Sequence, residues 1–308
     1  MISDPAIIGA GMAGCIAAYI LPRSPVKEAS PRDGLSYHRA VLRFRSDEVS
    51  KVTGVPFREV TVRKGIFHKG QFVAPSIRLA NMYSQKVVGR VIDRSIWNLD
   101  PVKRYVAPPD FHQRMLDHLG SRITYGSAFS FGAGDPVIST VPMPATLKAL
   151  GIAPPERFDY YPVTVVRGEI VDADVHQSVY FPDMDTPLYR LSITGNQIIA
   201  EFTRFDNDDE LEPFSAIDET YLALERAMGI PSIAATLERQ ATVQKHGKIA
   251  PIKNAARKNV IHSLTLDHGI YSLGRFATWR NILLDDVVND VGVIRQLLEM
   301  DSYDRRVR

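Results

Sequence analysis

Hydrophobic and polar positions along the chain follow two periods, and the change from one to the other marks the elements. "PAIIGAGMAGCIAAYIL" begins as a short apolar strand, breaks on glycines and resumes as the apolar helix "CIAAYIL". "SPVKEASP" reads as a second short strand ending in Glu28. The pattern then turns strand-like and basic through "REVTVRKGIFHKGQFVAP". Helical spacing returns in "DFHQRMLDHL", where Phe111, Met115, Leu116 and Leu119 recur on one face before a Gly120 stop. "DPVIST" is a buried strand ending in Thr140, followed by Pro142, Pro144 and a further helix.

A second strand-rich stretch begins near Pro155 with "YYPVTVVRGEIV", "QSVYFPD" and "LYRLSITGNQIIAEFT". The last is a hairpin with Gly195-Asn196 at its turn. "PFSAIDETYLALERAMGIPS" is a helix with Ser215 as its expected N-cap, ended by Gly229 and Pro231. Near the end, "GRFATWRNILLDDVV" starts on a Gly-Arg pair and runs into a helix, and the polar "DSYDRRVR" is expected to fray. This order predicts an α/β fold. A Rossmann-like domain of residues 1–46, 106–155 and 250–308 is interrupted by a strand-rich α+β substrate domain of residues 47–105 and 156–249.

Composition narrows the class. With 45% hydrophobic and 23% charged residues the 308-residue chain is ordinary for a globular protein. No apolar run reaches the roughly 20 residues that span a bilayer, and the start lacks the basic region of a signal peptide, so a cytoplasmic protein is expected. Cys15 is the one cysteine, which excludes internal disulfides and a cysteine-based metal cluster. No metal site is expected. The net charge of +2 hides an asymmetry: residues 37–104 carry 14 Lys/Arg against 5 Asp/Glu. Such a segment suits an anionic partner, phosphate or nucleic acid, or else lies spread over solvated faces.

The clearest chemistry is Gly9-x-Gly11-x-x-Gly14 between strand and helix. Gly9 makes the tight turn, Gly11 lets backbone approach a pyrophosphate, and Gly14 lets the helix pack on the strand. Met12 and Ala13 open the helix whose N-terminus faces the negative charge. Glu28 follows at about the 20-residue distance at which an acid accepts the ribose hydroxyls.

A nucleotide domain interrupted by strand-rich insertions resembles FAD-dependent enzymes of the glutathione-reductase and amine-oxidase type. The C-terminal "GRFATWRNILLDDVV" is similar to the FAD motif of UDP-galactopyranose mutases, and "LRFRSDEVSKV" resembles a segment near that family's flavin. The resemblance implies FAD as cofactor. It extends the contacts beyond the glycine turn to Arg39, Thr140, Gly274, Arg275, Trp279, Asn281 and Ile282. Arg275 would neutralise the pyrophosphate. Two departures stand out: Asn281 replaces a tyrosine that grips the family's substrate diphosphate, and Leu283 replaces an aspartate. The mutase's sugar-nucleotide half therefore does not carry over.

One cysteine and no second glycine motif favour an oxidase or a dehydrogenase with an external acceptor, and the amine-oxidase resemblance implies oxidation of a C–N bond in an amine or N-linked amino acid. Arg43, Arg45, Arg190 and Arg204 are candidate anchors for a substrate carboxylate, with Arg45 aligned to the family position beside the flavin. His38, Arg45 and Lys248 are the candidate catalytic groups, and His246 is a further acid–base candidate. The sequence also looks similar to phage flavoproteins of thymidine hypermodification, which implies an amine borne on DNA. There the basic 37–104 segment would meet phosphate, and an aromatic (Tyr83, Trp97 or Tyr105) would stack on a base. A mutase-like flavin-dependent isomerase and a non-catalytic flavin-binding protein are the alternatives.

Overall fold

The computed structural model describes residues 4–32, 41–93, 95–127, 131, 135–203 and 213–307. The chain opens with β1 (Ala6–Ile8), α1 (Met12–Ile20), β2 (Val26–Lys27), β3 (Arg43–Phe44) and α2 (Glu48–Thr53). It continues through β4 (Arg58–His68), β5 (Gln71–Val73), α3 (Ile77–Val88), β6 (Val102–Val106), α4 (Phe111–Leu119), β7 (Ile123–Thr124), β8 (Val137–Ser139) and α5 (Met143–Ala149). Then come β9 (Tyr160–Ile170), β10 (Val175–Tyr180), β11 (Leu188–Gly195), β12 (Gln197–Thr203), α6 (Pro213–Met228), β13 (Ala235–Leu237) and β14 (Thr242–Ile249). The chain closes with α7 (Asn254–His268), β15 (Ile270–Ser272), α8 (Arg275–Thr278) and α9 (Leu284–Val307).

Two units result. The first comprises Met1–Arg58, Tyr105–Phe158 and Pro251–Arg308, and the second Glu59–Arg104 and Asp159–Ala250. Residues 47–58, expected in the substrate domain, lie in the first unit. The apolar Val49 of α2 is fully buried there and belongs to the same core as α1 and α9.

In the first unit, five parallel strands run in the order β15-β8-β1-β2-β7. The chain leaves β1 toward β2 and β7 on one side, and β8 and β15 add on the other. The strand order therefore reverses between β1 and β8, and the crevice at such a reversal is where α/β sheets bind ligands. Ile7, Ile138 and Ile16 are fully buried, as parallel strands covered by helices require. Arg122 donates to the carbonyls of Ala18, Leu21 and Ser24, each at 2.9 Å, and so closes the C-terminal end of α1.

In the second unit the strands run β13-β9-β12-β11-β10-β4-β6, with β14 also on β9 and β5 on β4. The expected hairpin is present: Thr194 pairs with Gln197 around Gly195, whose φ is +64°. Two expectations are corrected. Ser215 lies inside α6 rather than capping it, because the helix already starts at Pro213, a residue suited to the first turn. The polar C-terminus continues α9 to Val307 instead of fraying from it.

Candidate functional site

The glycine turn sits at the reversal point of the parallel sheet. Gly9 has φ +97°, and a Cβ there would stand 2.2 Å from Thr140 Oγ1. Thr140 follows directly on β8 and donates from its hydroxyl to Ile8 O at 2.8 Å, so it closes directly over the turn. A Cβ on Gly14 would stand 1.9 Å from Gly9 O, which is how α1 lies so close to β1. Gly11 is different: a Cβ there would meet nothing within 4 Å. Gly9 and Gly14 are therefore required by packing, whereas the space at Gly11 is open to a ligand. Helix α1 has no side chain capping its N-terminus, so its first N–H groups remain free for an anion.

Glu28 is buried just past β2. Its carboxylate accepts the Ala10 N–H at 2.7 Å and the Ser30 N–H at 2.9 Å. A carboxylate has about four lone-pair sites, so acceptor capacity for ribose hydroxyls remains.

The C-terminal stretch comes to the same place. Gly274 adopts φ +86° and ψ 174°, a region open essentially to glycine alone, and a Cβ on it would lie 3.0 Å from that of Ala13. The second Gly-led turn thus packs on the first helix's N-terminal turn. Arg275 follows in α8, four residues long rather than the continuous helix expected. Its guanidinium donates to Ile282 O at 3.3 and 3.4 Å, has no carboxylate partner among the described residues, and is depressed in pKa by burial. A half-buried cation without a counter-charge calls for an anion.

The remaining expected cofactor contacts separate. Met12 is buried at the start of α1. Trp279 is 2% exposed, edge-on to Phe158 with centroids 4.8 Å apart, and holds φ 47°. Its indole packs on Phe158. Asn281 is exposed, and Ile282 enters through its carbonyl. Arg39 and His38 lie outside the described residues.

Arg45, the expected anchor beside the flavin, sits among acidic side chains. Its guanidinium pairs with Asp286 at 2.5 Å and lies 3.7 Å from Asp285, so its charge is already matched. Burial would raise the Asp286 pKa, but the Leu283 N–H and Arg45 together hold it below the ordinary value. Arg43 is half-buried in β3, paired with Val106.

Within the second unit, Arg190 and Glu201 form an ion pair between β11 and β12. The Tyr189 hydroxyl donates to Glu201 at 2.8 Å, and Lys248 Nζ lies 3.8 Å from the centre of the Tyr189 ring. Burial, and then the Glu201 charge, push the Tyr189 pKa well above its ordinary value. His246 stands edge-on to Tyr160 at 4.2 Å. Arg204 lies outside the described residues, and Trp97 is 46% exposed.

The basic 37–104 segment is divided between the two units, after Arg58. Lys51 and Lys103 pair with Asp47 and Glu59. Lys86 is buried, donating to the carbonyls of Phe181, Asp183 and Leu188 at 2.9, 2.6 and 2.6 Å.

Sequence reasoning missed His112. Its ring is 5% exposed, and Nε2 lies 3.0 Å from Ala10 O, inside the glycine turn. The signal was available: position 112 falls three, four and seven residues before Met115, Leu116 and Leu119, on the apolar face of α4.

No family model and no curated protein matches the chain. Solved structures do. A protein assigned as protoporphyrinogen oxidase from Exiguobacterium sp. 255-15 superposes with a TM-score of 0.59 at 12% identity, covering 98% of this chain and 100% of that one. Wild-type putrescine oxidase bound to putrescine gives 0.61 at 12% identity, covering 98% and 99%. Among the described residues no helix is long and apolar enough to cross a membrane. The chain shares the fold of these two oxidases: a parallel α/β nucleotide-type sheet with a strand-rich second unit.

Proposed function

We propose that the protein is an FAD-dependent oxidoreductase that oxidises the C–N bond of an amine. The observation that carries this reading is the approach of Gly274 to Ala13, which sets a second Gly-led turn and the half-buried Arg275 beside the dinucleotide turn. Binding an adenine dinucleotide needs only the first turn. A second one suits a cofactor with a further ring system to hold, and the fold shared with putrescine oxidase supports the same choice.

The residues fit FAD. The open side of Gly11 and the uncapped N-terminus of α1 would take the diphosphate, Glu28 the ribose, and Arg275 would supply the cation. Bound FAD would supply the acceptor for hydride from the carbon beside nitrogen. In the second unit Arg190, oriented by Glu201, and Lys248 beside Tyr189 are the substrate-anchoring and catalytic candidates.

A free small-molecule amine is favoured over one borne on DNA, because Lys86 is buried and Arg45, Lys51 and Lys103 are matched by carboxylates. The mutase-like isomerase gains no support from Asn281, which is exposed where a gripping tyrosine would be needed. The test is the absorbance spectrum of the purified or FAD-reconstituted protein, followed by anaerobic addition of amines such as putrescine. A flavin band bleached by an amine supports the proposal. A protein that takes up no FAD refutes it, and a band that no amine bleaches but dithionite does would favour the isomerase or the non-catalytic reading.

A further inference from the structure

Ala10, between the first two glycines, is fully buried, and side chains from three elements converge on its backbone. Glu28, past β2, accepts its N–H at 2.7 Å. The Cys15 thiol of α1 donates to its carbonyl at 3.2 Å. From α4, His112 Nε2 meets the same carbonyl at 3.0 Å. A carbonyl oxygen only accepts, so Nε2 carries the proton and donates. A thiol is a weak donor, which leaves His112 as the main hold on this oxygen.

In a trans peptide the C=O and the following N–H point in opposite directions. Fixing the Ala10 carbonyl toward His112 therefore aims the Gly11 N–H the opposite way, away from the ring. Gly11 is also where an added Cβ would meet nothing within 4 Å. The Ala10–Gly11 peptide turns about ψ of Ala10 and φ of Gly11, and Gly11 has no side chain to resist that turn. We propose that His112 is a positioning residue for diphosphate binding: it locks the Ala10–Gly11 peptide so that the Gly11 N–H faces the cofactor's phosphates. This rests on the FAD reading of the same turn and needs no redox step.

The test measures FAD, ADP and adenosine binding to the apoprotein by titration calorimetry, with thermal melting in parallel. His112→Leu fills the space but removes the donor. His112→Gln returns an N–H near the Nε2 position. The Leu variant is expected to bind FAD and ADP roughly tenfold or more weakly, the loss of about one hydrogen bond to a charged ligand, with adenosine unchanged. The Gln variant is expected to stay within about threefold of wild type, since it keeps the bond. If the Leu variant does not fold, His112→Asn, whose amide falls short of Ala10 O, takes its place. Wild-type ADP affinity in a folded donor-less variant overturns the inference, as does an equal loss for adenosine, the mark of a merely structural role. Wild-type protein that binds ADP but not FAD refutes the flavin reading alone, with ADP still reading out His112. Protein that binds neither overturns both.

Discussion

The backbone N–H of Arg45 donates to Asp285 Oδ1 at 2.8 Å, across 240 positions of sequence. Ser46 N–H reaches the same oxygen at 3.0 Å, so the buried Asp285 ties the turn after β3 to the start of α9. Asp285→Ala would leave two backbone donors without their acceptor and Arg45 with one carboxylate fewer. The expected loss is about 2–3 kcal/mol of unfolding free energy, measured by urea denaturation. Asp285→Asn keeps an oxygen for both N–H groups and should lose less than half as much.

The glycines of the first turn should separate folding from binding. At Gly14 an added Cβ meets Gly9 O at 1.9 Å, so Gly14→Ala is expected to cost about 3 kcal/mol in stability. At Gly11 the added methyl meets no protein atom within 4 Å, and φ is −69°, which alanine accepts. Gly11→Ala should therefore melt like wild type yet lose most of its FAD affinity, because the methyl occupies the diphosphate's approach. Equal FAD affinity in Gly11→Ala and wild type would place the ligand elsewhere.

How far the sequence was legible follows from how local each feature is. Gly9, Gly11 and Gly14 act within one turn between a strand and a helix, so spacing alone displays them. Gly274-Arg275 was visible by resemblance, but its meeting with Ala13 depends on a sheet built from distant strands. The packing of Trp279 against Phe158 was hidden for the same reason, since no local pattern links the two. The pairing of Arg45 with Asp286 was hidden because the two lie far apart along the chain. Helix α3 was given no reading from the sequence, and only its packing singles out Leu79, Tyr83 and Val87 as its buried side.

Lys86 offers a pH test. Burial lowers its pKa from 10.5 to about 8, against the smaller opposing effects of Glu219, Asp183 and Asp185. Below pH 8 folded and unfolded chains both hold the proton. Between 8 and 10.5 the unfolded chain keeps a proton that the folded one has released, so unfolding takes up a proton and stability rises with pH. The rise attributable to this group is at most about 3 kcal/mol. Lys86→Met should remove it, and should also weaken the fold at neutral pH by leaving the carbonyls of Phe181, Asp183 and Leu188 without their donor. Denaturation of both proteins at pH 7 and pH 10 checks each part.

Arg275 should show the reverse balance between stability and binding. Its half-buried guanidinium has the Ile282 carbonyl but no carboxylate among the described residues, and burial depresses its pKa. An unmatched cation in that setting works against the apoprotein, while the same cation is what an anionic cofactor group would meet. Arg275→Met keeps much of the length and removes the charge. Its apoprotein is expected to melt at or above the wild-type temperature, while FAD binds at least tenfold more weakly, the scale of one charge-assisted contact. A variant that melts lower but binds FAD normally would assign Arg275 to the fold instead, as the brace of the 275–282 loop.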